Sequence, residues 1–483
     1  MNRQTISSEQ RWEGTDCVPR LTVFTFLWAC QALVHQEFYS SWLHEDNPLG
    51  WALTSVALAT LLWPKVLGLF IAMLATSIVY NVVKWPFVVN HILLESGING
   101  TILLAIVLQL ARRETRYGSR EFRDQVFDAF APVIRFMLVV MYYFAIVSKL
   151  NWDFLDPEVS AVSAMYVDLL RRIPVLPTSL GAKSLAIVLT LIIEAAIPIL
   201  LTFRRTRYAA LAIGLPFHFM LGLIGHRTFS ALAFALYSLY CIEPLSVVIS
   251  QYYETWKQRW GLLRLQRATK LARLGVVGSV LLLVAADYTG HFRDGLGWAR
   301  IYRIPWLIWG CWSFGVACAY LMAMRQKVAD PPRQVTFNWV WCVVPLLFLN
   351  GASQYLGLKT ETCFTMYSNL RTEGGRNNHL FMPALRLTPH QDELIEIIAT
   401  DHPQLQPFIE RRQYIVRFEL RRILSEYPGD VEVTYRYQGQ LQKVTRQRGV
   451  SSDPSLTTRH PLILAKLLYF RPVYMGPKAL HQH

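Results

Sequence analysis

Eleven apolar blocks follow one another through the first 351 residues of this chain, and they limit its fold more than any other feature. Each block is about 14 to 21 residues long, and a helix needs about 20 apolar residues to cross a hydrocarbon core about 30 Å thick. The pattern predicts an all-α polytopic membrane bundle of about 11 transmembrane helices. The blocks cover residues 21–40, 49–63, 66–83, 92–111, 132–150, 184–203, 208–224, 228–243, 273–289, 304–324 and 338–351.

The composition favours the same class. The chain is 53% hydrophobic and 17% charged, which is too apolar for an ordinary soluble protein. Its net charge of +15 comes from basic clusters between the apolar blocks and not from a basic face on a soluble core. The expected partner is therefore the lipid bilayer, and no nucleic-acid partner is expected.

Basic and acidic loops alternate along the chain. Basic clusters follow blocks four, six, eight and ten, whereas the loop after block one reads HEDNP and the loop after block five is acidic. Because cytoplasmic loops are enriched in Lys and Arg, this predicts a cytoplasmic N-terminal segment, residues 1–20, and a C-terminal domain outside. The loop around Arg300 and Arg303 is the one poor fit. The single Asn-x-Thr sequon, at Asn99, falls inside a predicted span, so a bacterial inner membrane is the preferred location.

Past Gly351 the composition becomes polar and mixed in charge, which predicts a bundle over residues 21–351 and a small extracytoplasmic α+β domain over residues 352–483. Within that domain, Thr388 is expected to begin a helix, with Pro389 at its first position and Gln391 placed for a capping box. Alternating apolar and polar residues from Val431 predict a hairpin that turns near Gly439.

Lys149 ends the fifth block and is the first candidate for chemistry, because ionisable groups at the edge of apolar blocks are costly. One interpretation is a snorkelling lysine whose ammonium reaches headgroups or water. In the other, partial desolvation among aromatic side chains favours the neutral amine, which then acts as a general base. The aromatic residues around it are Tyr142, Tyr143, Phe144 and Trp152.

His91 opens the fourth block, on the side predicted to lie outside. A histidine at a helix N-terminus is held towards its neutral form by the helix dipole, which suits it to exchange hydrogen bonds with a ligand. The alternative is an ordinary interfacial side chain. Its neighbour Asn90 is a candidate cap for the same helix.

Glu194 and His218 are the deepest polar groups in the predicted spans. Each lies ten residues from one end of its block, about 15 Å along a helix. A buried carboxylate must be paired or protonated, so we expect Glu194 to face His218, either as a structural clamp or as part of a proton path. Pro216 is expected to bend the helix that contains His218.

The segment Tyr355–Leu380 follows the last block and is rich in Thr, Asn, Arg and His. One interpretation is a loop that lies against the outer mouth of the bundle, with Arg371 and His379 available to line a site. The other is a solvated linker. The chain has no CxxC pair and no Cys/His cluster with metal-ligand spacing, so no metal site is predicted.

Three of these motifs resemble one known family. The segment SKLNWDF at 148–154, the pair Asn90–His91 and the pair Phe217–His218 resemble the membrane part of vitamin K-dependent gamma-carboxylase, the horizontally transferred transmembrane (HTTM) domain. The likeness extends over roughly residues 20–380 and includes the YLGLKTETCFTMYSNL region.

The resemblance implies a chemistry. In the carboxylase a matching lysine deprotonates vitamin K hydroquinone, and oxygen and carbon dioxide then serve the carboxylation of a substrate glutamate. It therefore implies Lys149 as the base, His91 as its hydrogen-bonding partner, reduced quinone with oxygen and carbon dioxide as cofactors, and an extracytoplasmic protein or peptide as substrate. This chain has only about 100 residues after the shared region, so quinol and oxygen chemistry is expected to persist more readily than protein carboxylation.

Two other functions stay open on the sequence alone. A transporter or lipid-handling protein would use Glu194 and His218 as a site near the membrane midplane, although no internal repeat is evident. A non-catalytic accessory or scaffold protein would bind a partner through its C-terminal domain.

Overall fold

The computed structural model describes residues 17–38, 48–288, 303–326, 338–474 and 476. Most of the predicted N-terminal segment, the HEDNP loop as far as residue 47, and Arg300 lie outside the described residues.

The described chain is mostly helical. Its helices are α1 Arg20–Phe38, α2 Pro48–Leu62, α3 Leu67–Lys84, α4 Asn90–Arg112, α5 Arg120–Lys149, α6 Trp152–Leu155, α7 Ala161–Arg172, α8 Leu180–Thr202, α9 Arg207–Leu223, α10 Arg227–Tyr237, α11 Ile242–Trp260, α12 Leu262–Tyr288, α13 Arg303–Met324, α14 Val343–Ala352, α15 Gln406–Glu410, α16 Arg417–Glu426, α17 Pro454–Thr457 and α18 Leu462–Leu467.

Six helices in the described part of the chain are long and apolar enough to cross a membrane, or seven if the pair that bends by 89° between Tyr240 and Ile242 counts as one span. This is compatible with a multi-pass membrane protein, but the expectation of about 11 spans is not supported. Block two forms a helix of 15 residues and block eleven one of 10, which are too short to cross by themselves. The first block forms a helix of 19 residues whose last turns contain Gln31, His35 and Gln36.

The chain forms two compact units. The first contains Met1–Ser77, Asn99–Arg135 and Phe203–Val340, and the second contains Ile78–Ile98, Phe136–Thr202 and Trp341–His483. Helices α3, α4 and α5 each contribute residues to both. This grouping differs from the predicted division at residue 351, which remains a prediction about membrane topology.

Polar contacts, some buried and some partly exposed, connect the helices of the first unit. Asn99 accepts a hydrogen bond from the indole N–H of Trp28 (2.9 Å) and donates one to Ser77 (3.0 Å). Arg20, at the start of α1, lies 3.1 Å from the carboxylate of Asp124 and 2.8 Å from that of Asp128. Because a buried polar group is stable only when it is paired, these contacts fix how the helices pack.

The second unit contains an antiparallel six-stranded sheet in the order β5-β4-β3-β1-β2-β6. Its strands are β1 Leu394–Thr400, β2 Gln413–Val416, β3 Val431–Tyr437, β4 Gln440–Gln447, β5 Val450–Ser451 and β6 Val473–Tyr474. One face of the sheet and α16 form an apolar core around Ile397, Leu420 and Val433. The expected small C-terminal β-sheet region is therefore present.

The prediction that a helix begins at Thr388 is wrong. Residues 388–392 form a turn, in which the amide of Asp392 donates to the carbonyl of Pro389, and the chain then enters β1. The Thr388 hydroxyl bonds the carbonyl of Gly357 instead of capping a helix. The run LIEIIAT is rich in β-branched residues, so strand pairing prevails over the capping signal.

The predicted hairpin is confirmed. Strands β3 and β4 pair from Val431 with Arg446 to Tyr437 with Gln440. The two residues between them, Gln438 and Gly439, both have positive φ (49° and 80°), which is the geometry that a two-residue hairpin turn needs.

Lys466, in the C-terminal region, caps the C-terminal end of α3, a helix that contributes to the same unit. The ammonium of Lys466, in α18, donates to the carbonyls of Val82 (3.2 Å), Val83 (3.0 Å) and Trp85 (2.6 Å) at the end of α3. The last carbonyls of a helix have no partner within it, so a cation placed there satisfies them and complements the helix dipole.

Candidate active site

Lys149 is the last residue of α5 and is buried, with 4% of its surface exposed. Its ammonium nitrogen lies 2.8 Å from the Glu194 carboxylate of α8 and donates to the carbonyl of Ala145 at 3.3 Å. The snorkelling interpretation is therefore wrong, because the amine faces a carboxylate inside the second unit and not solvent.

The expected pairing of Glu194 with His218 is also wrong, since the partner of Glu194 is Lys149. His218 belongs to the first unit and lies 1% exposed among the rings of Phe217, Phe229 and Tyr237. A lysine provides a full positive charge for a buried carboxylate, which a neutral imidazole among aromatic rings does not.

The aromatic residues near the end of α5 separate into two groups. Tyr142 and Phe144 are both 3% exposed, whereas Tyr143 is half-buried and Trp152 is 68% exposed. Trp152 therefore does not shield Lys149, contrary to its expected role. Tyr143 and Phe144 pack against Phe348 of α14, with ring centroids 6.2 Å and 5.0 Å apart.

Helix α14 approaches α5 very closely. A Cβ atom added at Gly351 would lie 2.1 Å from the ring of Phe144, a distance that no side chain can adopt without movement. Glycine at this position lets the two backbones approach, and it positions the segment that follows α14 beside the end of α5.

Asn90 and His91 begin α4, as the sequence predicts. The Asn90 side chain does not cap that helix: its oxygen accepts a hydrogen bond from the amide of Phe364 at 2.6 Å. His91 is partly buried at the second position of the helix. Asn90 therefore attaches the segment after α14 to the start of α4, next to His91.

The segment Tyr355–Leu380 is a buried loop, so the solvated-linker interpretation is wrong. Thr360, Cys363, Phe364 and Thr372 are fully buried. Most of its polar groups are bonded inside the protein: the Arg471 guanidinium, for example, lies 2.9 Å from the carboxylate of Glu373.

The same loop is attached to the chain just after Lys149. The amide of Leu380 donates to the carbonyl of Leu150 (3.0 Å), and the amide of Trp152 donates to the carbonyl of Asn378 (3.2 Å). The side chain of Asn151 donates to the carbonyl of Ser368 at 2.6 Å. One loop thus joins the start of α4, which contains His91, to the end of α5, which contains Lys149.

His379 also holds the loop against the end of α5, and its contacts require the neutral ring with the proton on Nε2. Its Nε2 lies 2.8 Å from the carbonyl of Val147, and its Nδ1 accepts hydrogen bonds from the amides of Phe381 (3.2 Å) and Met382 (2.9 Å). Nδ1 must therefore be unprotonated, and Nε2 is the donor. Burial lowers the pKa of His379, which agrees with a neutral ring.

Arg371 belongs to the same loop and is buried, 6% exposed. It donates to the carbonyl of Gly476 (3.1 Å) and lies 3.9 Å from the carboxylate of Asp153, which also accepts a hydrogen bond from Asn378 at 2.7 Å. Burial lowers the pKa of Arg371, whereas the Asp153 carboxylate opposes that shift. In this arrangement Arg371 ties the loop to the residues after Lys149.

Four residues of the loop other than glycine have a left-handed backbone: Thr362 (φ 57°), Phe364 (63°), Tyr367 (50°) and Asn369 (54°). Such conformations cost free energy, most of all for a β-branched or bulky residue. Strained residues concentrate at active sites and ligand clamps, where the surrounding structure holds them. Their clustering supports a functional loop.

The sequence interpretation missed the asparagines that build this network. Asn369 accepts a hydrogen bond from the amide of Ala161 (2.8 Å) at the start of α7 and donates to the carbonyl of Val159 (2.9 Å). The high Asn content of the loop was the only available signal. Within the described ranges, no group of three or more His, Cys, Asp or Glu side chains is placed to hold a metal ion.

Comparison with protein-family models, with curated proteins and with solved structures finds no match to this chain.

Proposed function

We propose that this chain is an integral membrane enzyme of the HTTM type, in which Lys149 acts as a base on a hydroxyl group of a lipid-soluble quinol. The observation that carries the proposal is the Lys149 amine, 4% exposed and 2.8 Å from the Glu194 carboxylate, at a helix end joined by one loop to His91. The HTTM resemblance supplies the quinol.

Lys149 must lose its ammonium proton before it can act as a base, and in the proposed mechanism its ion-pair partner accepts that proton. Glu194 takes the ammonium proton, which leaves the Lys149 amine able to accept the hydroxyl proton of the ligand. That proton then resides on Lys149, and the negative charge stays on the ligand oxygen, to which His91 is proposed to donate a hydrogen bond. Positioned proton transfer of this kind contributes about 10²- to 10⁴-fold to rate.

The residues near Lys149 suit an aromatic ligand with polar ends. Tyr143 is half-buried and, with Phe348, exposes aromatic surface to the apolar side, while the amine and the loop supply polar groups. A bound quinol would supply reducing equivalents for reaction with dioxygen. The proposed setting is a bacterial inner membrane, with the N-terminus in the cytoplasm, the C-terminal region outside, and a lipid or an extracytoplasmic peptide as the molecule acted upon.

The test is quinol turnover by the purified full chain, followed as oxygen uptake with 2-methyl-1,4-naphthoquinol. Lys149→Met alone strands a buried carboxylate, so it is compared with Lys149→Met/Glu194→Gln, in which neither partner is charged. Both variants are expected to lose at least about 100-fold in turnover. Trp152→Phe, which changes an exposed aromatic residue three positions away, is the matched control and keeps full turnover. Undiminished turnover in the folded double variant overturns the base assignment.

A further inference from the structure

Two adjacent buried residues at the end of α14 have hydrogen-bond donors that no described residue accepts. They are the hydroxyl of Tyr355, whose residue is 4% exposed, and the side-chain N–H₂ of Gln354, whose residue is fully buried. An unsatisfied buried donor is costly, and in native proteins it points to a missing partner.

The thiol of Cys363 explains why the Gln354 amide presents its nitrogen. The Cys363 sulfur lies 3.6 Å from the Gln354 oxygen. Burial raises the pKa of Cys363 to about 11, so the thiol is protonated at neutral pH and donates to that oxygen. The amide nitrogen is consequently left as a donor. Burial also raises the pKa of Tyr355, and the neighbouring Cys363 and Tyr143 act in the same direction, so its hydroxyl keeps its proton.

Both donors belong to the network that joins the two helix ends. The Tyr355 ring lies 5.6 Å from the His379 ring, edge to face, and His379 contacts the carbonyl of Val147 two residues before Lys149. Cys363 is followed directly by Phe364, whose amide is bonded to Asn90. The strained positions Thr362 and Phe364 flank that cysteine.

We propose that Gln354 and Tyr355 form an oxygen-binding site, in which both donate hydrogen bonds to a carbonyl or phenolic oxygen of an otherwise apolar ligand. The ligand must offer acceptors because both protein groups are donors. It must be largely apolar because Gln354 and Tyr355 are both buried and the Tyr355 ring packs against the ring of His379. A quinone fits this chemistry; only that identification rests on the proposed function, and the donor site does not.

The decisive variant is Tyr355→Phe, which removes one oxygen atom. Because that hydroxyl has no partner in the protein, its loss should leave the Tm of the ligand-free protein unchanged or raise it. Its loss should also weaken binding of 2-methyl-1,4-naphthoquinone about 3- to 10-fold, the usual effect of one net hydrogen bond. Binding of 2-methylnaphthalene, which has no acceptor oxygen, should not change. Both affinities are measured by tryptophan quenching in detergent.

The matched control is Tyr435→Phe in β3. Tyr435 is equally buried, at 3% exposed, but its hydroxyl donates to Gln442 at 2.8 Å. This variant should lower the Tm and leave naphthoquinone affinity unchanged. If Tyr355→Phe binds naphthoquinone like the wild type, or lowers the Tm as the control does, the hydroxyl has a structural partner and the oxygen site is overturned.

These results separate the two proposals. Lost turnover in Lys149→Met/Glu194→Gln with unchanged affinity in Tyr355→Phe keeps the base and removes the oxygen site. The opposite pair of results keeps the oxygen site and removes the base. A wild-type protein that binds no naphthoquinone at all removes both.

Discussion

Each compact unit contains an ion pair at a helix end, and the two cations are coordinated very differently. In the first unit, the Arg20 guanidinium makes four hydrogen bonds of 2.8 to 3.2 Å to Asp124 and Asp128 and lies 3.7 Å from Glu243. In the second, the Lys149 ammonium has three N–H groups but only two acceptors among the described residues, Glu194 and a carbonyl at 3.3 Å.

The comparison separates a structural cation from a reactive one. A guanidinium saturated by carboxylates cannot lose its proton and has little capacity left for a ligand. An ammonium with one strong partner keeps a donor free and can transfer a proton. Coordination therefore assigns Arg20 to stability and favours Lys149 for chemistry, although both form ion pairs at helix ends.

The largest effect should come from Arg20→Met. Three carboxylates would lose their shared counter-ion. Because Asp124 and Asp128 are partly exposed, the expected loss is about 1.5–3 kcal/mol of unfolding free energy, the range for hydrogen bonds to charged groups. Quinol turnover per folded molecule should stay at the wild-type level. Unfolding in a detergent titration measures the first quantity and oxygen uptake the second.

Lys257→Met is the control for that variant, because Lys257 forms an exposed pair with Glu254 and should leave the unfolding curve unchanged. If Arg20→Met lowers turnover as strongly as the Lys149 variants do, the two cations do not differ in role and the comparison fails.

A smaller effect is expected from Gly351→Ala, which tests whether close packing of α14 on α5 holds the reactive site. The added methyl group would overlap Phe144, and overpacking of this kind costs about 1–3 kcal/mol. Gly100→Ala in α4 meets nothing within 4 Å and should instead stabilise its helix by about 0.5–1 kcal/mol. Equal Tm shifts in the same direction would show that the α14 approach is not tight.

The smallest expected effect is a loss of stability at low pH in the loop that His379 holds against the end of α5. The pKa of this histidine is lowered in the folded protein, so its contribution to stability is fully present above the unfolded value of 6.5 and is lost as pH falls through the folded value. The loss cannot exceed about 1.4 kcal/mol per pH unit for one proton. Hydrogen exchange at pH 5, corrected for intrinsic rates, should show faster exchange at the amides of Phe381 and Met382 than at pH 7.

His390→Gln is the control for the pH experiment, since His390 is partly exposed, lies 3.9 Å from Glu393 and packs against the rings of Phe418 and Phe470, away from those two amides. It should leave the pH response of those two amides unchanged. Amides that exchange equally at both pH values would mean that protonation does not release the loop.

The sequence predicted local features of this fold well. The β3–β4 hairpin follows from strict alternation and from Gly439, since both signals are local. The number of spans could not be predicted in the same way. An apolar block indicates that its residues are buried, but not that they form one straight helix long enough to cross a membrane. Block eight, for example, forms α10, and the chain bends between α10 and α11. Thr388 and Pro389 carry a helix signal that strand pairing of the next residues overrides.

The candidate site was predicted in its residues but not in its contacts. The cost of a charge in an apolar block marks both Lys149, at the edge of its block, and Glu194, deep inside its own, yet nothing in their spacing of 45 positions reveals that they pair. Asn90 looks like a helix cap because its neighbours are helical, whereas its true partner lies in the loop at Phe364. Gln354 and Tyr355 give no signal in sequence, because an unsatisfied donor is visible only when its surroundings are known.

The Lys466 contact with the end of α3 has a consequence for biosynthesis. The ammonium and the carbonyls that it caps are separated by 381 to 384 positions. On the ribosome, the last turn of α3 is made long before its cap exists, and those carbonyls must rely on water or on temporary partners until Lys466 has been translated. The final structure of this helix end is therefore a late event, and it depends on completion of the sheet region and of α18.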